Sequence, residues 1–167
     1  RYGLPEKIGG WEKVTSDALV GATRAILSYS ALNGVKYAIY GTNKKLYAYS
    51  EGSYADITPT RSTGTGNITQ FTTTNGSTTV TVTDSSHGAL IGDFVTIASV
   101  GGAVNGISAA NLQGEFEILT VPNSNTYTIE AKAAASSTGN ASVTANATYQ
   151  LNTGAAVSLF GYGWGAG

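Results

Sequence analysis

Short stretches with a two-residue hydrophobic period recur along the chain, and turn residues separate them. The stretch 35–40, VKYAIY, has Val, Tyr and Ile at every second position. This period is typical of a half-buried strand, because successive side chains of a strand point to opposite faces. Asn33-Gly34 before it and Gly41-Thr42-Asn43 after it tolerate the positive φ of tight hairpin turns. Together with strands at 23–29, 45–49 and 54–58, the pattern predicts an antiparallel meander of four or five strands.

The stretch 17–27 leaves two alternatives open. Its apolar residues stand roughly at helical spacing: Leu19, Val20, Ala22, Ile26 and Leu27. Gly21 and the β-branched Thr23 count against a helix. A loop followed by a strand is therefore the favoured interpretation.

Positions 62–148 are richer still in β-forming residues. Asn75-Gly76 and the segment PNSN at 122–125 are hairpin signals between such runs. Seven or so short strands with turns about every ten residues indicate a sandwich or small barrel, with 101–111 as a flexible loop at one end. The predicted strands are 67–73, 78–83, 93–98, 115–121, 126–131, 142–146 and 148–151.

Composition favours a chain that is covered by neighbours in an assembly. Charged residues are 11% of the 167, well below the usual quarter of a soluble domain. Residues 1–61 hold eight Lys/Arg and five Asp/Glu (+3), and residues 62–167 hold one and five (−4), which sum to the net charge of −1. This shift predicts a domain boundary near Arg61. The net charge of the whole chain does not indicate the basic surface that a nucleic-acid-binding protein has.

The chain has no cysteine, which excludes disulfides and thiolate metal sites. It has no methionine and begins at Arg1, so we expect it to be part of a longer polypeptide. No apolar run reaches the roughly 18 residues of a membrane span.

Few residues are candidates for chemistry. His87 is the only histidine and is predicted to be a turn residue that hydrogen-bonds locally. Glu115 and Glu117 lie two apart on a predicted strand, hence on one face, where they could hold a cation or serve glycoside hydrolysis. Paired glutamates on an exposed strand face are far commoner than catalytic pairs. We therefore expect no enzymatic activity, no catalytic residue, no metal site and no cofactor.

Aromatic residues are the most suggestive feature. They can pack between sheets, anchor a protein interface or stack on sugar rings, because each offers a large contact area at low entropy cost. All three alternatives stay open for these residues, and we take them as candidate interface residues: Trp11, Tyr37, Tyr40, Tyr47, Tyr49, Tyr54, Tyr162 and Trp164.

The first part of the chain resembles a blade of the β-propeller-like proteins of bacteriophage tails. The residues that carry this resemblance are Gly9-Gly10-Trp11, TRAIL at 23–27, YGTNKKLY at 40–47 and DITP at 56–59. The middle part is similar to a β-sandwich insertion of the same proteins, through HG at 87–88, GDFV at 92–95, GEFE at 114–117 and NTYTI at 125–129. The Gly/aromatic tail at 161–167 is similar to the segment in which those chains return to the propeller.

The resemblance implies an all-β fold with three parts: a propeller-like meander at 1–61, a β-sandwich or small-barrel insertion at 62–148, and a return strand with a Gly/aromatic tail at 149–167. It further implies a homo-oligomeric structural protein of the virion, in the short-tail nozzle or hub or connected to fibres, with other tail proteins as partners. A single blade does not close a propeller. The alternatives are a receptor- or carbohydrate-binding module of a tail fibre or bacterial adhesin, with host surface glycan as partner, and a fragment of a polysaccharide-degrading enzyme.

Overall fold

The structure, a computed structural model, describes residues 18–62 and 67–150. These residues form antiparallel sheets and one short 3-10 helix, so the predicted all-β class is confirmed. In chain order the strands are β1 Thr23–Ser30, β2 Lys36–Thr42, β3 Leu46–Ser50, β4 Ser53–Asp56, β5 Thr60–Ser62, β6 Ile68–Thr73, β7 Thr79–Asp84, β8 Phe94–Ala98, β9 Gly114–Glu117, β10 Thr120–Asn123, β11 Thr126–Glu130, β12 Gly139–Ala141 and β13 Asn146–Gln150, with the 3-10 helix Ala109–Leu112 before β9.

The first sheet is a meander in which β1, β2, β3 and β4 pair in chain order. The predicted turn at Asn33-Gly34 is confirmed, whereas Gly41 and Thr42, predicted to lie in the next turn, are the last two residues of β2. Gly34 has φ +83°, and Glu51 and Gly52 have φ 50° and 89°, as a hairpin turn with two positive-φ positions requires. The helical alternative is excluded, because residues 18–22 form no helix and β1 begins at Thr23.

This sheet has the four antiparallel strands that a propeller blade also has. The residues that the structure describes contain one four-stranded meander of this kind, and they show neither a closed propeller nor a closed barrel.

The other strands form two sheets around one core. One sheet has the order β10-β11-β7-β6-β12 and the other β5-β13-β8-β9. Alternate residues point inward, as Val80 and Val82 of β7 and Val95 and Ile97 of β8 show, and all belong to the same buried cluster. Two sheets that share a core in this way form a β-sandwich.

Strand β5, which lies at the domain boundary predicted near Arg61, belongs to this sandwich. Strand β5 pairs with β13 through Arg61 opposite Tyr149 and Thr60 opposite Gln150. Because β5 begins at Thr60, shortly after β4 ends at Asp56, this sheet of the sandwich lies next to the end of the first sheet.

Three predictions for the sandwich are wrong. The stretch 115–121 is two strands in different sheets, because the chain changes sheet at the fully buried Ile118, whose N–H donates to Asp93 O at 2.8 Å. Residues 142–145 form no strand, and β13 begins at Asn146. The stretch 101–111 is folded against the core, since Val104 and Ile107 pair with each other and are fully buried.

Candidate functional site

Four of the predicted interface tyrosines share one face of the first sheet. Tyr40 stands opposite Tyr47, and Tyr49 opposite Tyr54, in the strand register. The Tyr54 ring lies 5.5, 6.5 and 4.8 Å from those of Tyr40, Tyr47 and Tyr49. Tyr47 is 8% exposed, and its hydroxyl accepts a hydrogen bond from the N–H of Val20. The structure thus assigns Tyr47 to packing and leaves the other three rings half-buried.

Tyr37 lies on the opposite face, where its ring stacks on Tyr29 at 5.3 Å between centroids. Trp11, Tyr162 and Trp164 lie outside the described residues. The interface role of all eight aromatic residues stays a prediction.

Strand β1 is exposed along its whole length. It forms one edge of the first sheet, and its Ile26 and Leu27 are 63% and 65% exposed although they point to opposite faces. Leu32, in the loop that follows, is also exposed. Among the strands that the structure describes, β1 pairs with β2 alone, so its other edge has no described strand beside it.

Glu115 and Glu117 share a face, as predicted, but each is paired with a lysine of the first sheet rather than with the other. Glu115 Oε2 lies 2.6 Å from Lys45 Nζ, and Glu117 Oε1 accepts a hydrogen bond from Lys44 Nζ. Lys45 Nζ also lies 2.7 Å from Asp56 Oδ2. We call Lys44, Lys45, Asp56, Glu115 and Glu117 the lysine clasp. Its residues come from the first sheet and from β9 of the sandwich.

Lys45 is the buried member of the lysine clasp. Its side chain is 2% exposed, and its Nζ lies 4.5 Å from the centre of the Phe94 ring, within the range of a cation–π contact. Desolvation opposes its charge, but the hydrogen bonds and charges of Asp56 and Glu115 together outweigh it, so the pKa of Lys45 lies above its ordinary value.

The opposite shift occurs at Asp56. Desolvation alone would raise its pKa, but the hydrogen bonds from Lys45 and from the side chain and N–H of Thr58 lower it below the ordinary value. Both shifts favour the ionised pair. Lys45 and Asp56 are therefore both charged at neutral pH.

A cleft of about 260 Å³ opens beside the lysine clasp. Its walls come from the outer face of the sheet β5-β13-β8-β9 and from the end of the first sheet. Besides Lys45, Asp56 and Glu115, it is lined by Phe94, Gln150 and four threonines: Thr58, Thr60, Thr96 and Thr148. The sequence did not predict this cleft, because its lining residues lie on five different strands and in two of the segments that connect strands, and no local pattern joins them.

His87 lies in a turn and bonds locally, since its Nδ1 accepts the N–H of Ala89 at 3.1 Å. It is also 1% exposed, and its ring lies 5.1 Å from that of Tyr127. Nearby, Tyr149 donates a hydrogen bond of 2.5 Å to the buried Asp84. Burial raises the pKa of Tyr127 and of Tyr149. This polar cluster lies inside the sandwich, away from the cleft.

Across residues 18–62 and 67–150, no three His, Cys, Asp or Glu side chains come together as a metal site would require. Among these same residues, no helix has the length and apolar character needed to cross a membrane.

Fold and site together define an all-β protein in which a four-stranded meander adjoins an antiparallel sandwich, with charged residues and a polar cleft between them. No family model and no curated protein matches the chain. A solved structure to which it is similar is the phage phi92 endosialidase, at 24% identity and a TM-score of 0.39. The match covers 75% of this chain and 18% of that one. A likeness this low carries no argument about function.

Proposed function

We propose that this chain is a structural component of the tail of a tailed bacteriophage. It acts through contacts with other copies of itself and with other tail proteins, in the virion and without catalysis. The order of the sequence motifs, meander first and sandwich second, supports the choice of the tail. The observation that supports the structural role is the exposed strand β1, which is an edge strand among the described residues.

An edge strand presents a row of backbone N–H and C=O groups that can pair with another chain. In β1 this row is combined with the exposed side chains of Ile26, Leu27 and Tyr29, which are 63%, 65% and 48% exposed. Leu27 and Tyr29 lie on one face of the sheet and Ile26 on the other, so a strand that pairs with β1 would have exposed apolar side chains to contact on both faces. With few charged residues to keep copies apart, pairing at β1 favours assembly.

The positions of the polar residues support a non-catalytic role. A glycosidase needs one carboxyl group that protonates the leaving group and a second that attacks or activates water. In this chain Lys45 and Lys44 hold Glu115 and Glu117 by ion pairs. The one histidine is packed against Tyr127.

The oligomeric state of the purified chain tests the structural role. We expect light scattering after size-exclusion chromatography to give a mass that is a multiple of 17.0 kDa. Leu27→Lys places a charge on the exposed edge strand and should shift the mass toward the monomer. The matched control is Leu119→Lys, a leucine of the sandwich that is 40% exposed, which should leave the mass unchanged. A wild-type monomer, or equal effects of both variants, would contradict the role assigned to β1.

The tail assignment is tested separately, by mass spectrometry of purified particles of the phage that encodes the chain. We expect chymotryptic peptides from both the meander and the sandwich, in several copies per particle. Their absence from infectious particles would reject the tail assignment even if the chain oligomerises. An assay of reducing ends released from host surface polysaccharide checks the absence of catalysis, and we expect no release above buffer.

A further inference from the structure

Gln150 is a buried side chain with half of its amide unsatisfied. It is 4% exposed, and its Nε2 donates to the carbonyl oxygen of Lys44 at 3.3 Å. Because a carbonyl oxygen can only accept, the end of the amide next to Lys44 must be the nitrogen, and Oε1 is the other end. Among the described residues, no group donates to Gln150 Oε1. A buried acceptor without a donor is unfavourable, so a bound donor at this position would be stabilised.

Gln150 lines the cleft beside the lysine clasp. It belongs to the outer face of the sheet β5-β13-β8-β9, because Thr148 two positions earlier stands opposite Thr96, and Gln150 stands opposite Thr60. The three threonines line the same cleft. Their hydroxyls can donate or accept hydrogen bonds, so the cleft that Gln150 lines contains several groups that can bind a polar molecule.

The charges of the cleft exclude several classes of ligand. Lys45, Asp56 and Glu115 together carry a formal charge of −1, which disfavours an anion. A cation would have to approach the same two carboxylates that Lys45 Nζ already occupies at 2.7 and 2.6 Å. The threonine and glutamine lining disfavours an apolar ligand, since burying these groups without partners is costly.

A neutral molecule with several hydroxyl groups satisfies all of these conditions. One hydroxyl can donate to Gln150 Oε1, others to the partly exposed carboxylate oxygens of Asp56 and Glu115, and its oxygens can accept from the threonines. The volume of about 260 Å³ lies just below the roughly 300–1,000 Å³ of clefts for drug-sized ligands. The cleft therefore suits one small unit.

We propose that the cleft between the first sheet and the sandwich is a binding site for a single neutral sugar residue, with Gln150 Oε1 as an acceptor for one of its hydroxyl groups. This site is separate from the β1 edge, and its occupancy does not depend on the proposed tail role. It would give the chain a glycan contact in addition to its protein contacts.

Chemical-shift perturbation in ¹H–¹⁵N spectra of the whole chain tests the proposal. The probes are the methyl glycosides of glucose, galactose and N-acetylglucosamine, added separately, with sodium phosphate and glycerol as additional arms. We expect at least one glycoside to shift the amides of Thr60, Thr96 and Gln150 in a saturable way, with a Kd in the millimolar range typical of one small unit, about −4 kcal/mol. Shifts at these amides caused by phosphate but by no glycoside would overturn the proposal, as would shifts caused equally by glycerol.

Two variants decide whether the cleft itself is responsible. Gln150→Met keeps the length of the side chain and removes the acceptor, and we expect it to weaken glycoside binding about tenfold or more, the effect of about 1.4 kcal/mol. Thr96→Val removes a hydroxyl from the wall and should also weaken binding. The control is Thr81→Val on β7, in the other sheet of the sandwich, which should bind as the wild type does.

The spectrum of each variant first establishes that it is folded, and Thr96→Val gives an independent result if Gln150→Met is not. Binding that is unchanged in a folded Gln150→Met or Thr96→Val variant would overturn the proposal. A wild-type spectrum that no glycoside perturbs would do the same, because the cleft would then hold only solvent.

Discussion

At the scale of single residues, Tyr149 joins polar groups that are buried inside the sandwich. Its hydroxyl donates to Asp84 and lies 3.2 Å from the hydroxyl of Tyr127, and all three residues are at most 1% exposed. The guanidinium of Arg61 lies 5.3 Å from the centre of the Tyr149 ring. Buried polar groups are tolerated when they are hydrogen-bonded to one another, which explains how a carboxyl group occupies an inward-facing position of β7.

We expect Tyr149→Phe to destabilise the fold by about 1.5–3 kcal/mol, because the ring still fills its space but Asp84 loses a donor. The urea midpoint of unfolding measures this change. Tyr29→Phe removes the same hydroxyl from a ring that is 48% exposed and should stay within about 0.5 kcal/mol of the wild type. Equal losses in the two variants would show that the buried hydroxyl has no special role.

At the scale of elements, the hairpin between β6 and β7 depends on one glycine. Gly76 has φ +77°, and an added Cβ there would meet nothing within 4 Å. Any effect of an added side chain must therefore come from the backbone conformation. Glycine adopts this left-handed conformation readily, Asn and Asp do so occasionally, and other residues do so rarely. Gly102 offers the same open space without a positive φ, so the two positions form a matched pair.

We expect Gly76→Ala to lower the free energy of unfolding by about 1–2 kcal/mol, the cost of a left-handed conformation for a residue with a Cβ. Gly102→Ala should be neutral or slightly stabilising, since alanine also restricts the unfolded chain. Urea denaturation of both variants gives the comparison. A Gly76→Ala variant as stable as Gly102→Ala would mean that the turn relaxes to another conformation.

The elements also show how far the sequence predicts the fold. Alternation predicts β2, β7 and β11, and the Asn-Gly pairs predict the turns before β2 and β7, because these are local signals. The sequence predicts one strand at 115–121, since hydrophobicity alone does not reveal that Ile118 is where the chain changes sheet. The shared face of Glu115 and Glu117 followed from their spacing, but their lysine partners did not. Lys45 stands 70 positions from Glu115, and only the folded chain brings them together.

At the scale of the whole molecule, the lysine clasp joins the first sheet to the sandwich, whose buried cluster contains no residue of that sheet. The first sheet contributes Lys44, Lys45 and Asp56, and β9 contributes Glu115 and Glu117. Surface ion pairs contribute little when both partners are exposed, but the Lys45 side chain is 2% exposed. Removing one partner of such a pair leaves buried charge without compensation. The clasp therefore stabilises the contact between the first sheet and the sandwich, which also shapes the cleft.

The pKa shifts of the lysine clasp fix the pH range of this stabilisation. The pKa of Asp56 is lowered from 3.8 in the folded state, so its contribution is present above that value and is lost as the pH falls through the lowered pKa. The pKa of Lys45 is raised from 10.5, so its contribution is present below that value and is lost as the pH rises through the raised pKa. Between these limits Lys45 and Asp56 are both charged, and their ion pair contributes in full.

We expect Lys45→Met to lower the urea midpoint at neutral pH, and the difference from the wild type to shrink in acid as Asp56 becomes protonated in both proteins. The control is Lys36→Met, an exposed lysine of β2, whose small effect should not depend on pH in the acid range. Proteolysis of the 56–62 segment that leads from β4 into β5 gives a second measurement. Faster cleavage there in Lys45→Met, but not in Lys36→Met, is expected if the clasp holds the first sheet against the sandwich. A midpoint difference that stays constant from neutral pH to below 3.8 would instead assign the effect of Lys45 to the packing of its side-chain methylenes against Phe94.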